Sequence, residues 1–293
     1  MLNPEELLPK PRSIYRLVAL LGCVLICTSC GTSLSLKHQG ERHSYQVTKD
    51  VIYTPADWPE KLPANIYKPK ADKPTPAILL VHGGSWALGD DRYQMSAIAR
   101  RLARRGYLVM NVTYRMIPEW FFPEPADDLR QALVWLQDHA EELNVDLQRV
   151  GLFGYSAGGQ LAEIVGMQDS STGMKVGAIV AGATPHDMSL LADEDVVKVY
   201  LRGEIHDYPD DYRAASPLYN VRKNGPPMFL YHGASDGIVI PLHTIRMAKE
   251  LAKNGIRHEV YWVKGRGHVT TFLFQSQAVG KAIDFLDREL APR

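Results

Sequence analysis

Residues 149–159 read Arg-Val-Gly-Leu-Phe-Gly-Tyr-Ser-Ala-Gly-Gly, and this stretch decides the expected fold. The apolar run at 149–153 predicts a buried strand, and residues 159–165 have the pattern of a helix. A strand, a Gly-x-Ser-x-Gly turn and a helix are the pattern of a nucleophile elbow, in which small residues allow a turn tight enough to expose a hydroxyl. Ser156 is therefore the candidate nucleophile. A glycine-rich turn with an ordinary serine is the alternative, and the flanking strand and helix favour the elbow.

Outward from this turn, apolar and β-branched runs alternate with amphipathic helical patterns. The predicted strands span residues 44–53, 64–68, 77–82, 108–114, 149–154, 177–181, 228–232 and 258–263. Helical patterns span residues 92–105, 126–142, 240–254 and 271–290. Early strands of hairpin type followed by repeated strand–helix units predict an α/β fold, with a mostly parallel eight-stranded sheet and helices on both faces. A functional site is then expected at the carboxyl ends of the strands.

Two residues downstream of Ser156 occupy strand ends where a serine nucleophile would find its activating groups. A hydroxyl is a weak nucleophile near neutral pH and needs a base, which an acid in turn orients. Asp236 follows the strand at 228–232 and His268 follows the strand at 258–263, in the chain order serine, acid, histidine. Each alone could be an ordinary turn or loop residue, but together they predict a catalytic triad. The competing acids do not directly follow a clear strand; they are Asp187, Asp207, Asp210 and Asp211.

A loop with two glycines follows the predicted strand at 77–82 and reads His-Gly-Gly-Ser-Trp at 82–86. Acyl transfer places negative charge on a carbonyl oxygen, and glycines let backbone N–H groups approach that oxygen closely. We expect an oxyanion hole made by the N–H groups of Gly84, of Gly83 or Ser85, and of Ala157. His82 is expected to bridge backbone groups of the loop rather than to act as a base. A plain turn is the alternative for the glycines.

Taken together, these motifs resemble those of the α/β-hydrolase carboxylesterases, near the hormone-sensitive-lipase and BD-FAE-like esterases. The resemblance covers about residues 60–290 and is carried by 82–86, 111–115, 122–123 with Asp127 and Trp135, 154–159, 215–217, 226–227, 232–236 and 267–268. Ser85 departs from the pattern, since many relatives have a third glycine or an aromatic residue there. The resemblance implies an α/β-hydrolase fold, a small-molecule ester substrate, and neither a metal nor an organic cofactor.

Residues 184–219 form a long connection that contains four tyrosines. Long insertions beside a site often act as lids, so a small lid-like insertion is expected here. Trp86, Trp120 and Phe121 are candidate substrate-binding residues, the last two within an aromatic cluster near the expected rim. The alternative is that these aromatic residues pack the insertion onto the core.

Composition indicates one enzyme-sized domain. The 293 residues are 45% hydrophobic and 23% charged, and 33 Lys plus Arg balance 33 Asp plus Glu. The sequence has no excess of basic residues, so its charge does not indicate a nucleic-acid partner. All three cysteines lie within the first thirty residues, so the remaining sequence offers no internal disulfide and no cysteine-ligated metal site.

The N-terminal segment has the pattern of an export signal. Three basic residues precede an uncharged, mostly apolar run at 17–27 that is too short for a membrane span. The segment resembles a bacterial lipoprotein signal, which predicts a lipid on Cys30, with Cys23 as the second candidate. A cleaved secretory peptide and an uncleaved anchor are the alternatives. The expected organisation is a signal segment at 1–30, a tether at 31–42 and one hydrolase domain at 43–293.

This arrangement places the domain outside the cytoplasm, lipid-anchored to a bacterial membrane and facing the periplasm or cell exterior, or else secreted. The expected function is a serine esterase that cleaves short-chain acyl esters, of carbohydrates or xenobiotics, through an acyl-enzyme. Ser156 attacks, His268 serves as base and then acid, and Asp236 orients His268. A serine peptidase of the prolyl-oligopeptidase type and an arylformamidase-like amidase are alternatives on this fold. A catalytically silent binding protein is the alternative of another class, which an intact triad disfavours.

Overall fold

The computed structural model describes residues 43–87, 91–168 and 174–291, so the predicted signal segment, with Cys23 and Cys30, and the predicted tether lie outside the described residues. The strands are β1 (Tyr45–Ile52), β2 (Pro63–Pro69), β3 (Thr75–Val81), β4 (Leu108–Val112), β5 (Val145–Tyr155), β6 (Val176–Gly182), β7 (Met228–Gly233) and β8 (His258–Val263). All eight predicted strands are confirmed, although β5 begins at Val145 rather than at residue 149.

These strands form a single sheet in the order β1-β2-β4-β3-β5-β6-β7-β8. The pairs β1–β2 and β2–β4 are antiparallel, and the other neighbours pair in parallel. Every residue of β4 and β7 is buried, which explains their continuous apolar character, because helices cover both faces of a parallel sheet. Since β3, β5, β7 and β8 run in the same direction, the loops that follow them meet at one edge.

The helices are α1 (Ser96–Arg104), α2 (Glu124–Asp138), α3 (Ala140–Leu143), α4 (Ala157–Gly166), α5 (Asp195–Tyr200), α6 (Pro209–Ala214), α7 (Leu242–Lys253), α8 (His268–Leu273) and α9 (Ser276–Glu289). Helices α1 and α9 pack on one face of the sheet, and α2, α4 and α7 pack on the other. Among the described residues, no helix is both long enough and apolar enough to cross a membrane.

Two helices are interrupted where the sequence predicts continuous ones. The predicted helix at 126–142 is divided at His139 into α2 and α3. His139 leaves the helical conformation, and its ring Nδ1 bonds the carbonyl oxygen of Trp135 at 2.8 Å. That ring also stacks on Trp135 with centroids 4.0 Å apart. The predicted helix at 271–290 begins earlier, at His268, and is split between α8 and α9.

One buried ion pair fixes α2 to the loop that follows β4. Asp128 accepts hydrogen bonds at 2.8 Å from the Nε and the backbone N–H of Arg115 and from the indole N–H of Trp58. Burial raises the pKa of Asp128 despite these donors. Asp127, one of the residues that carry the family resemblance, lies at the surface and pairs with Arg130. Adjacent helix positions face directions about 100° apart, so only one of the two aspartates can face the core.

The 184–219 insertion is a folded part of the domain. Its helices α5 and α6 are flanked by 3-10 turns at Met188–Leu191 and Pro217–Asn220. Tyr200 and Tyr212 are buried in the core on the α4 side of the sheet, whereas Tyr208 and Tyr219 are 40% and 46% exposed. The insertion therefore packs through half of its tyrosines and presents the other half to solvent.

Candidate active site

Ser156 sits at the sharp turn from β5 into α4. Its φ of +54° and ψ of −123° are unfavourable for any residue with a Cβ. The flanking glycines are required by close packing. A Cβ on Gly154 would lie 2.2 Å from the carbonyl oxygen of Gly158, and a Cβ on Gly158 would lie 2.2 Å from the carbonyl oxygen of His82. The turn can form only with these small residues, which is the physical content of the Gly-x-Ser-x-Gly pattern.

The three residues of the predicted triad form one chain of hydrogen bonds at the carboxyl edge of the sheet. The Nε2 atom of His268 lies 2.9 Å from the Oγ atom of Ser156, and its Nδ1 atom lies 2.8 Å from the Oδ2 atom of Asp236. With the proton on Nδ1, His268 donates to Asp236 and its Nε2 accepts from the Ser156 hydroxyl. This geometry suits transfer of the serine proton to the imidazole.

The competing acids lie elsewhere. Asp187 is buried and accepts a hydrogen bond from Arg246 at 2.6 Å. The other three also lie in the 184–219 insertion: Asp207, Asp210 and Asp211.

Asp236 is held in place as a charged acceptor. Its Oδ1 atom accepts from the N–H groups of Ile238 at 2.9 Å and Val239 at 3.0 Å, and its Oδ2 atom lies 3.4 Å from the Nε2 atom of His232. Burial by itself raises the pKa of Asp236, but the hydrogen bonds from His232 and His268 outweigh burial and hold that pKa below its ordinary value. Asp236 is therefore ionised at neutral pH and can orient His268.

Two residues to which the sequence interpretation gave no role support the triad loops. His232 is fully buried, with its Nδ1 2.7 Å from the hydroxyl of Thr244 and its Nε2 2.7 Å from the carbonyl oxygen of Val239. The hydroxyl of Tyr155 donates to the carbonyl oxygen of His268 at 2.7 Å. Both lie within the stretches that carry the family resemblance, at 154–159 and 232–236, and that was the available signal.

The loop after β3 lies directly against Ser156. A Cβ on Gly83 would stand 2.9 Å from the carbonyl oxygen of Tyr155 and 3.3 Å from the Cβ of Ser156. Only glycine therefore permits this approach of the backbone. Ala157 begins α4 on the other side of Ser156, so its N–H belongs to the positive end of that helix. Backbone from both predicted segments thus borders the serine.

His82 packs within this loop. Its ring is fully buried and stacks on Tyr114 with centroids 4.5 Å apart, and its Nδ1 atom lies 2.6 Å from the carbonyl oxygen of Gly83. These contacts fit the expected role of bridging the loop backbone.

Trp86 joins the loop to the insertion. Its side chain is 3% exposed, its indole N–H donates to the Oε1 of Gln160 at 3.1 Å, and its ring stacks on Tyr200. The sequence interpretation missed Gln160. Gln160 is a polar residue in a helix whose every residue is buried, and no local pattern in the sequence marks it.

Trp120 and Phe121 are half-buried and contact charged side chains. The indole N–H of Trp120 bonds the carboxylate of Glu60, and the guanidinium of Arg115 lies 4.6 Å from the Trp120 ring centroid. Arg202 of the insertion lies 5.6 Å from the ring centroid of Phe121. These contacts agree with the alternative in which the aromatic residues serve packing and do not bind substrate.

Glu163 and His186 form a buried polar pair near His232. The Oε2 of Glu163 lies 2.7 Å from the Nδ1 of His186. Burial raises the pKa of Glu163 and lowers the pKa of His186, so the two form a neutral hydrogen-bonded pair. Burial likewise lowers the pKa of His243 to about 3.

Within residues 43–87, 91–168 and 174–291, no group of three or more His, Cys, Asp or Glu side chains is arranged to hold a metal ion.

Residues 64–251, well over half of the chain, match the protein family described as BD-FAE. The chain is also 27% identical over 217 residues to esterase LipC of Mycobacterium tuberculosis (strain ATCC 25618 / H37Rv), which covers 67% of this chain and 53% of LipC. It therefore spans about half the length of that relative.

Two solved structures are similar over most of their length. A thermophilic esterase from the Planctomycetes species Thermogutta terrifontis, with butyrate bound, is 26% identical with a TM-score of 0.69, covering 86% of this chain and 96% of that one. Esterase B from Lactobacillus rhamnosis, inhibited by a C4-C4 SN3 tributyrin phosphonate, is 20% identical with a TM-score of 0.78, covering 99% of this chain and 97% of that one. These neighbours and the sheet order show the α/β-hydrolase fold.

Proposed function

This chain belongs to the BD-FAE family, and we propose that it hydrolyses carboxylic esters through an acyl-enzyme formed on Ser156. The observation that carries the proposal is the hydrogen-bonded chain from Asp236 through His268 to Ser156. The esterase relatives support the same reaction class. A silent binding protein would have no need of all three groups in this order.

In the proposed reaction, the Ser156 oxygen attacks the ester carbonyl carbon while its proton passes to the Nε2 of His268. Ionised Asp236 stabilises the imidazolium, and the N–H groups of the loop after β3 and of Ala157 bind the oxyanion. His268 then gives the proton to the alcohol oxygen, which leaves. A water molecule then attacks the carbonyl carbon of the acyl-enzyme while its proton passes to His268. His268 returns that proton to the Ser156 oxygen as the bond to the acyl group breaks, which releases the acid and free Ser156.

The proposed substrates carry short acyl groups, from acetyl to butyryl, on a carbohydrate or xenobiotic alcohol. Support comes from the relative of 26% identity with butyrate bound and from the folded insertion, which packs against Trp86 beside the loop. Each further methylene must find apolar surface to gain its roughly 0.8 kcal/mol. Tyr208 and Tyr219 are partly exposed, and tyrosine hydroxyls suit a hydrophilic alcohol part. A p-nitrophenyl ester series from acetate to palmitate tests this, and a maximum of kcat/KM at octanoate or longer would reject it.

Labelling with a fluorophosphonate, followed by peptide mass spectrometry, tests the nucleophile. We expect the label on Ser156 and its loss in Ser156→Ala. Ser189→Ala is the matched control, because the hydroxyl of Ser189 is hydrogen-bonded as well, but to the carboxylate of Asp187 at 2.6 Å and not to an imidazole. Turnover of p-nitrophenyl acetate but not of Ala-Pro-p-nitroanilide distinguishes an esterase from a peptidase, and an aryl formamide substrate tests the amidase alternative. A label on another residue would reject the proposed mechanism.

The proposal for localisation is export and lipid anchoring through Cys30, with membrane contact through that anchor alone. It rests on the basic, apolar and cysteine pattern of the N-terminal sequence. Mass spectrometry of the mature N-terminus is the test. Lipid on Cys30, and unprocessed precursor in Cys30→Ser, are expected. A free N-terminus at another residue would indicate simple secretion, and lipid on Cys23 would move the anchor.

A further inference from the structure

Three successive residues of the loop after β3 have left-handed backbone. The φ angles are +122° at Gly84, +54° at Ser85 and +57° at Trp86. Glycine adopts such angles readily, but serine and tryptophan do so only under strain. A strained backbone conformation persists only where surrounding contacts hold it in place. This loop supplies the proposed oxyanion donors, so whatever holds Ser85 and Trp86 in this conformation also holds the oxyanion hole.

The side chain of Trp86 is fixed on two sides. Its ring stacks on Tyr200 with centroids 4.3 Å apart and planes 9° apart, and its indole N–H donates to Gln160 at 3.1 Å. Both partners are fully buried. The carbonyl oxygen of Trp86 also accepts from the N–H of Ile117 at 2.9 Å. A relaxation of the loop backbone would have to break this stack and both hydrogen bonds.

The Gln160 amide joins three segments that meet around Ser156. Its Oε1 accepts from Trp86 and, at 3.4 Å, from the hydroxyl of Tyr200, and its Nε2 donates to the carbonyl oxygen of Ala215 at 2.7 Å. Gln160 lies in the first turn of α4, directly after the nucleophile, and its own N–H bonds the carbonyl oxygen of Ser156 at 3.1 Å. The amide thus ties the nucleophile helix to the loop and to the insertion.

We propose that Trp86, Gln160 and Tyr200 form a clamp that positions the oxyanion loop. The 184–219 insertion then acts, through Tyr200, as a fixed part of the catalytic site and not as a moving lid. This inference rests on the proposed function, since the loop affects turnover only if an oxyanion forms. The three are positioning residues, which act through the N–H groups of residues 83–85. Their loss should weaken binding of the transition state more than binding of the substrate, because those N–H groups bind charge that develops during the reaction.

Three variants remove different parts of the clamp. Tyr200→Leu removes the stack, Tyr200→Phe removes only the hydroxyl, and Gln160→Met removes the amide hydrogen bonds while keeping a side chain of similar length. Tyr212→Leu is the matched control. Tyr212 is a buried tyrosine of the same insertion, and its hydroxyl bonds the carbonyl oxygen of Gly203 at 3.1 Å. For each variant, kcat, KM, the pH dependence of kcat and the thermal unfolding midpoint are measured with p-nitrophenyl acetate as substrate.

Gln160→Met and Tyr200→Leu should lower kcat by about ten-fold or more, toward the range for loss of an oxyanion donor. KM and the shape of the pH profile should stay nearly unchanged, because the triad is untouched. Tyr200→Phe should recover most of kcat, because it keeps the stack. Tyr212→Leu should lower the unfolding midpoint as much as Tyr200→Leu does, yet keep kcat.

The clamp is refuted if folded Gln160→Met and Tyr200→Leu keep the kcat of the wild type. It is also refuted if Tyr212→Leu loses kcat to the same degree, since the effect would then belong to the stability of the whole insertion. If Tyr200→Leu does not fold, Gln160→Met alone decides. A wild-type protein without ester turnover and without label on Ser156 would overturn the proposed function itself, an outcome distinct from the variant results in an active enzyme.

Discussion

Two substitutions of Ser156 separate backbone strain at the turn from the chemistry of the hydroxyl. Ser156→Ala and Ser156→Gly both remove the Oγ atom and its 2.9 Å hydrogen bond to His268, so both should be inactive. They differ only in the Cβ atom. At φ +54° and ψ −123°, alanine keeps the strain of the turn and glycine releases it.

The expected difference in stability follows from two opposing effects. Backbone strain of this kind costs about 1–3 kcal/mol. The larger freedom of glycine in the unfolded chain costs about 0.4–1 kcal/mol relative to alanine. Strain is the larger effect, so Ser156→Gly should be more stable than Ser156→Ala by about 1 kcal/mol. For a domain of roughly 250 residues, that corresponds to about 2–4 °C in the unfolding midpoint.

Urea and thermal unfolding of the two variants at one pH measure the difference. Ala248→Gly provides the reference, since Ala248 lies within α7 in ordinary helical backbone, where glycine should lower stability by about 1 kcal/mol. The sign of the change is therefore opposite at the two positions. If Ser156→Gly were less stable than Ser156→Ala by the amount seen in α7, strain at the turn in solution would be refuted.

Three further results are expected. His268→Ala should lower kcat by roughly 10³-fold or more, and adding Ser156→Ala should cost little more, because the two act as a unit; additive losses in an ester assay would contradict a shared proton transfer. Burial raises the pKa of Asp236, but hydrogen bonds from two imidazoles outweigh it and lower that pKa. The stability that ionised Asp236 contributes is therefore present above about pH 3.9, the pKa of aspartate in the unfolded chain, and is lost as the pH falls further. The wild type should exceed Asp236→Asn in free energy of unfolding by less at about pH 3 than at about pH 6. A difference that increased on acidification would contradict this sign. Asp128→Ala leaves Arg115 buried without its carboxylate and should cost about 3–5 kcal/mol in urea unfolding; a cost as small as that of a surface pair, about 0–1 kcal/mol, would show that the ion pair is no anchor.

The strands and the order of the triad residues could be predicted from the sequence because both are local features. A buried parallel strand is a short apolar run, and Asp236 and His268 lie three and five residues beyond the ends of β7 and β8. Once the strands are known to be parallel, their carboxyl ends must meet at one edge, so the three residues are expected to be close. The Gly-x-Ser-x-Gly turn is local only in part: a Cβ on Gly154 would collide with the backbone of Gly158, whereas a Cβ on Gly158 would collide with the distant backbone of His82.

Side-chain partners from distant segments were decided by tertiary packing. Asp127 is among the residues that carry the family resemblance, yet packing buries its neighbour Asp128, since helical phase relative to the core depends on how α2 meets the sheet. The hydrogen bonds of Gln160 reach 74 residues back to Trp86 and 55 residues forward to Ala215, and no local pattern encodes such pairings. The sequence by itself therefore determined the elements and the edge at which the triad assembles. Only the packed structure decided which polar groups are buried together, because burial requires partners that the chain brings close only when it folds.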